Sequence, residues 1–326
     1  MDRRSFLAVA ALGALAAGLS TPAAAQAQAW PQRNVRFIVP LGPGSGVDIS
    51  ARLLADRLSA KWGKPVVVEN KPGGDAIVAI SAFTGANDDH TLLMAPTSTF
   101  TAHPYLHEKL PYDARDLIPI ARVSNTVIAV GVPTAAGITS VSDLITRAKA
   151  DPGKLNSAAA TGANDFVVTG YLKQSGADIT RVPYRDAVQA VNDLAEDRIQ
   201  LYVAAFAIMR PQVQAGKVKL IAITNSERAP TLPDVPTAKE AGHPALTIDG
   251  LVGLFGPRDM SKELRDRVAA DVMAATADPE ITAKIASTGQ IVRPGGAEEF
   301  AKDIEEQIRV VSEAAAAAGV KRMLQN

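Results

Sequence analysis

Glycines behind a strand, hydroxyls at two further strand ends and four histidines are the parts of this sequence that could do chemistry. The sharpest is Gly42-Pro43-Gly44-Ser45-Gly46, which follows an apolar run at 35–39 and opens a helical pattern. Backbone amides at such a turn can cradle an anion. A dinucleotide phosphate is one candidate, because Glu69 ends the next strand where a ribose-binding acid would lie. The dinucleotide spacing fails, since its third glycine falls on Val47, and Pro43 removes a donor. A turn that needs glycine only for positive φ is the plainer alternative. Thr97-Ser98-Thr99, and Thr161-Gly162 beside Asn164, add polar donors at other strand ends. Singly each reads as a helix cap; together they suggest one polar pocket.

His103 and His107 are four apart, a spacing that suits a metal on a helix face. Pro104 lies between them and no third ligand is evident, so no metal and no cofactor are expected. The chain has no Cys, which removes disulfides, thiol catalysis and thiolate metal sites. It also lacks the Gly-x-Ser-x-Gly elbow of α/β-hydrolases. No catalytic residue is therefore expected. A formal net charge of zero offers no basic field to nucleic acid or to acidic lipid.

The elements that must hold these residues alternate. Strands are expected at 35–39, 65–69 and 91–94, with helices at 48–62 and 76–84 between them. In the first helix Ile49, Leu53, Leu54 and Leu58 share a face, and Gly63 ends it. A β-prone stretch at 117–132, interrupted at Asn125, is placed to leave one sheet and enter another. A second series follows, with strands at 156–159, 181–184, 199–204 and 218–224 and helices at 141–149 and 187–196. Residues 229–244 read as a Pro-rich surface connection, 246–255 as β-prone, and 262–277, 279–287 and 298–317 as helices. This alternation predicts parallel α/β sheets. The two series predict two lobes: 30–124 with 248–326, and 125–247. Ligands of such sheets bind beyond the carboxyl ends of the strands. Four loops lie there, at 41–47, 96–103, 160–164 and 204–208, the first beginning with Leu41 and the last with Ala204, Ala205 and Phe206.

Residues 1–29 read as an export signal. Arg3-Arg4 precedes an apolar run at 6–19, shorter than the ~20 residues of a membrane span. Small residues follow, with Ala-x-Ala sites ending at Ala25, Ala27 or Ala29. The Arg3-Arg4 pair also resembles a twin-arginine signal, which exports folded proteins; general secretion is the other route. Either way the mature chain is expected in the periplasm.

The chain resembles the Bug family, the extracytoplasmic solute receptors of tripartite tricarboxylate transporters. Stretches that carry the likeness, in family order, include Arg36-Phe37-Ile38-Val39-Pro40, Gly44-x-Gly46-x-Asp48, Val66-Val67-Val68-Glu69-Asn70-Lys71-Pro72-Gly73, Leu110-Pro111-Tyr112-Asp113, Val182-Pro183-Tyr184 and Leu232-Pro233-Asp234-Val235-Pro236-Thr237. The resemblance implies a type II periplasmic-binding fold, a monomer of two α/β lobes closing on a small carboxylate, without catalysis, in partnership with inner-membrane transporter subunits. It implies ligand contacts at Gly44, Ser45, Gly46 and Asp48, at Thr97, Ser98 and Thr99, at Thr161, Gly162 and Asn164, and in the loop from Ala204. The chain departs from the pattern twice. Ala158-Ala159-Ala160 replaces a usual Ser-Ser-Gly, and Ala204-Ala205 stands where many members have Asp and Asn. Losing that Asp beside Phe206, Ile208 and Met209 leaves an apolar wall, where an unpaired ammonium would cost several kcal/mol, roughly. The expected ligand is therefore a carboxylate without an amino group. A Rossmann-like nicotinamide oxidoreductase, and a ligand-sensing partner of a signalling receptor, are the alternatives.

Overall fold

The run Val35–Val39 (β1) is buried at four of its five positions, as an apolar stretch without alternation requires of an inner parallel strand. It pairs in parallel with β2 (Val66–Asn70) and β3 (Thr91–Pro96). The crossovers are α1 (Gly46–Trp62) and α2 (Ile77–Ala86). Gly63 ends α1 at φ 65°, where its amide donates to the Ser59 carbonyl at 3.0 Å. The computed structural model describes residues 30–158, 160, 162–184 and 186–324. The expected export signal and Thr161 lie outside the described residues. In the short unit Met1–Gln32 the described residues form neither helix nor strand, and the elements all belong to the unit Arg33–Asn326.

Three later strands complete the first sheet. They are β4 (Ile118–Thr126), β10 (Gly250–Gly256) and β11 (Gln290–Gly295), all joined antiparallel. The order is β11-β4-β10-β3-β1-β2. Helices α8 (Lys262–Thr276), α9 (Pro279–Ser287) and α10 (Ala297–Ala318) follow β10 in the chain. Phe300 of α10 packs on Phe255 at 5.2 Å between ring centroids, and Gly253 is obligatory beneath it, because a Cβ there would sit 2.3 Å from the ring.

The second lobe starts one residue after β4. Val127 alone separates it from β5 (Ile128–Pro133), which pairs antiparallel with β8 (Tyr202–Ala205) and β9 (Val218–Ile223). A parallel pair, β6 (Leu155–Ala158) and β7 (Ile179–Val182), joins through a bridge from Ser157 to Leu201. Helices α4 (Val141–Ala150), α5 (Ala163–Ser175), α6 (Ala187–Ala195) and α7 (Phe206–Gln214) cover these strands. The far half of α10 lies against α5, so close that a Cβ on Gly170 would meet the Ala314 carbonyl oxygen at 2.6 Å. The result is the mixed α/β, two-lobe architecture of type II periplasmic-binding proteins.

Four local expectations are corrected. Residues 97–99 are the first turn of a helix, α3 (Thr97–Leu106), and not a loop; the Thr97 and Thr101 hydroxyls find Gln307 instead of competing for their own backbone. Phe206 follows β8 directly as the first residue of α7. The break between sheets falls at Val127, not Asn125. The strand β11, between the helices expected at 279–287 and 298–317, has no counterpart among the expected elements; pairing with β4 sustains it.

Candidate ligand-binding cleft

The Gly42–Gly46 turn is built around Asp48. That side chain is 2% exposed. Its carboxylate accepts from the Gly44 amide at 2.8 Å, Arg52 Nε at 3.1 Å and Asn70 Nδ2 at 2.8 Å. Burial pushes its pKa up, but the bonds from Arg52, Gly44 and Asn70 outweigh that and hold it below the ordinary value. Ser45 caps α1 by accepting from the Asp48 amide, and its own amide donates to the Gly42 carbonyl. Gly44 has φ 84°, which favours glycine. A Cβ on Gly46 would press on Gln290 Nε2 at 3.2 Å and Thr288 Oγ1 at 3.3 Å. The turn therefore spends the Gly44 and Ser45 amides on itself. A pyrophosphate would have to displace Asp48 from the Gly44 amide, and Glu69 is engaged with Arg36 and Lys71.

The open space lies beside that turn. A cleft of about 510 Å³ separates the ends of β1 and β3 from β5 and β8. Of the sequence candidates, Leu41, Ser98, Thr99, Asn164, Ala204 and Ala205 line it. Gly44, Ser45, Gly46, Asp48, Thr97, Gly162 and Phe206 do not. Thr97 is fully buried and donates to Gln307 Oε1 at 2.7 Å. Phe206 is buried under Arg210, and its amide donates to Val127. Gly162, at φ 57°, brings its Cα so close to the first lobe that a Cβ would sit 3.1 Å from the Ser98 carbonyl oxygen.

Six helices begin at this cleft: α1 at Val47, α2 at Ala76, α3 at Ser98 and Thr99, α5 at Asn164, α6 at Ala187 and α7 at Ala205. First-turn amides have no partner inside their own helix, and the helix dipole places partial positive charge there. The cleft thus offers helix-start amides to an anion, although no Lys or Arg lines it among the described residues and Asp75 places one negative charge at its edge. On the second-lobe side, Ile128, Tyr202, Val203, Ala204 and Ile208 form an apolar wall.

Residues 50–318 match the family model for the tripartite tricarboxylate transporter family receptor. Over 291 residues the chain is 30% identical to a UPF0065 protein of Bordetella bronchiseptica, covering 89% of this chain and 86% of the relative. The chain belongs to the tripartite tricarboxylate transporter receptor family. This is a family of periplasmic solute-binding receptors. Two solved structures carry ligands in their names. Rpa4515 of R. palustris with adipate superposes with a TM-score of 0.77 at 27% identity, covering 90% of this chain and 99% of that one. MatC of Rhodopseudomonas palustris with bound malate gives 0.72 at 26% identity, covering 87% and 100%.

The receptor's two interlobe segments, expected from the sequence near Ser124-Asn125 and Thr247-Asp249, are tied to each other, in part through Asn225, which the sequence did not mark. Asn225 is fully buried; its Oδ1 accepts from the Ile128 amide and its Nδ2 donates to the Thr126 carbonyl, both at 2.9 Å. Asp249 accepts from the Ser226 amide and hydroxyl. Also unmarked was the segment Gly73–Ala76 of this receptor, where φ is positive at four successive residues. Asp75 and Ala76 of that segment line the cleft. His103, fully buried, bonds the Asp75 carbonyl through Nε2 at 2.9 Å and the Tyr112 hydroxyl through Nδ1 at 2.5 Å. Burial, and then the Asp75 charge, push the Tyr112 pKa up, so it stays protonated. The only signal that could have found Asp75 was its place between two glycines and a helix start, which reads as an ordinary turn. No helix among the described residues is long and apolar enough to cross a membrane.

Proposed function

We propose that this receptor captures a small carboxylate without an amino group, closes two lobes on it, and delivers it to a tripartite transporter in the inner membrane. The observation that carries the reading is the convergence of six helix starts on a cleft whose described lining carries neutral donors, one apolar wall and a single charged side chain, Asp75, at its edge. The carboxylate sits at the starts of α3 and α5, near Ser98, Thr99 and Asn164, and the carbon body lies along Ala204, Ala205 and Ile208. The turn Gly44–Asp48 and Thr97 act from behind, by fixing the starts of α1 and α3 on the first-lobe side. The adipate and malate of the related structures set the class of ligand to try first.

Closure is assigned to the two interlobe segments near Ser124-Asn125 and Thr247-Asp249, with lobe one formed by 30–124 and 248–326 and lobe two by 125–247. The protein works as a monomer without catalysis, exported by the signal at 1–29. A thermal-shift screen followed by calorimetry tests the ligand: aliphatic or aromatic carboxylates raise the melting temperature. Tight binding of aspartate or glutamate, with none of simple carboxylates, sinks the reading. Solution scattering with saturating ligand should show compaction.

A further inference from the structure

Asp75, His103 and His107 meet at the edge of the cleft, although the acid comes from the turn after β2 and the histidines from α3. Pro104 does not part the two rings. The helix runs on to Leu106, and the His107 amide still donates to the His103 carbonyl at 3.0 Å. The imidazoles stay on one face, 5.2 Å apart at their centroids. His103 Nε2 lies 3.5 Å from an Asp75 carboxylate oxygen. One donor atom from each of the three residues falls within 4.8 Å of the others.

We propose that these three residues bind a divalent transition-metal ion of the zinc, cobalt or nickel class. Two imidazole nitrogens and a carboxylate are a donor set such ions accept. Bonds of about 2.1 Å need donors about 3.4 Å apart, so the cluster must tighten on the ion. Asp75 has the freedom to do so, being 41% exposed at its side chain. Tyr112 supports the site, since its oxygen can accept a hydrogen bond from Nδ1–H when Nε2 of His103 faces a metal. Without metal that ring is equally satisfied, with Nε2–H donating to the Asp75 carbonyl. His107 differs. Its Nε2 is shielded from solvent and has no hydrogen-bond partner, so an added ligand is what completes it. Asp75 in turn is the only formally charged side chain among the described residues lining the cleft. A cation here neutralises that charge.

The site stands independently of the carboxylate reading, so the test contains no carboxylate. The mature protein, purified without a histidine tag, is dialysed against zinc and its metal content measured. Cobalt is then added and the visible spectrum recorded. One equivalent of zinc is expected, with a cobalt absorption band from nitrogen and oxygen ligands. His107→Gln and Asp75→Asn each weaken retention at least tenfold and erase the band, while circular dichroism of the metal-free variants stays unchanged. Tyr112→Phe weakens retention by roughly tenfold. Zinc retained well below one equivalent by the parent protein overturns the proposal, as does equal retention by the His107 variant. So does an amine that raises the melting temperature through Asp75 in a protein that holds no zinc.

Discussion

Two turns of the first lobe look alike and are used in opposite ways. Gly42–Gly46 follows β1 and opens α1; Gly73–Ala76 follows β2 and leads into α2. Both hold left-handed glycines, and each has an aspartate close by. Asp48 is 2% exposed and accepts from three donors, so its charge is consumed in holding the turn. Asp75 is itself left-handed, at φ 52°, and turns a carboxylate toward the cleft. The glycine-rich motif that stands out in the sequence is scaffold except at Gly42, which lines the cleft, and the plain one carries the open chemistry. A polar group's free valence, more than its motif, marks the functional side.

The comparison breaks most readily at Asp48. Asp48→Ala strips a buried acceptor from three donors and should cost about 2–3 kcal/mol, read as a lower urea midpoint at pH 7. The same group gives a pH dependence. Its folded pKa is depressed, so its contribution is complete above the ordinary unfolded value near ~4 and is lost as pH falls through the folded value. Acidification should therefore destabilise the parent protein more than Asp48→Asn. Next in size, Ser98→Ala or Asn164→Ala should weaken carboxylate binding roughly tenfold with an unchanged melting temperature; a drop in melting with affinity intact would exchange their roles with those of the turn. Ser45→Ala removes a cap worth about 1 kcal/mol and should leave calorimetric affinity untouched. The smallest effect is Asp75→Gly, which frees a left-handed position and should leave stability level or slightly raised in denaturant titrations.

What the sequence made legible was local. The buried run of β1, the apolar face of α1 and the Gly63 stop are written within neighbouring residues. So are the strand ends that bring Leu41, Ser98, Asn164 and Ala204 to the cleft. What stayed hidden depends on partners far along the chain. Gly46 must be small because Gln290 packs there, 244 residues away in sequence. Thr97 looked like a ligand hydroxyl because nothing nearby announces Gln307. Asn225 sits in an unremarkable stretch, yet it joins both crossover strands. Asp75 and His103 touch only after β2 and α3 have been placed side by side.

The position of β10 has a consequence for how the chain reaches this state. It lies between β3 and β4, and β11 covers the other edge of β4. Every strand of the second lobe comes from one contiguous stretch, 128–223, whereas β4 gains its neighbours only when 250–295 returns. Pairing across so long an interval is slow, because loop-closure entropy must be met before the contacts form. In refolding, amides of β5 and β9 should become protected against exchange before those of β4. The cleft would then be among the last features to form, so a chain caught earlier has a lobe but nowhere to hold a solute.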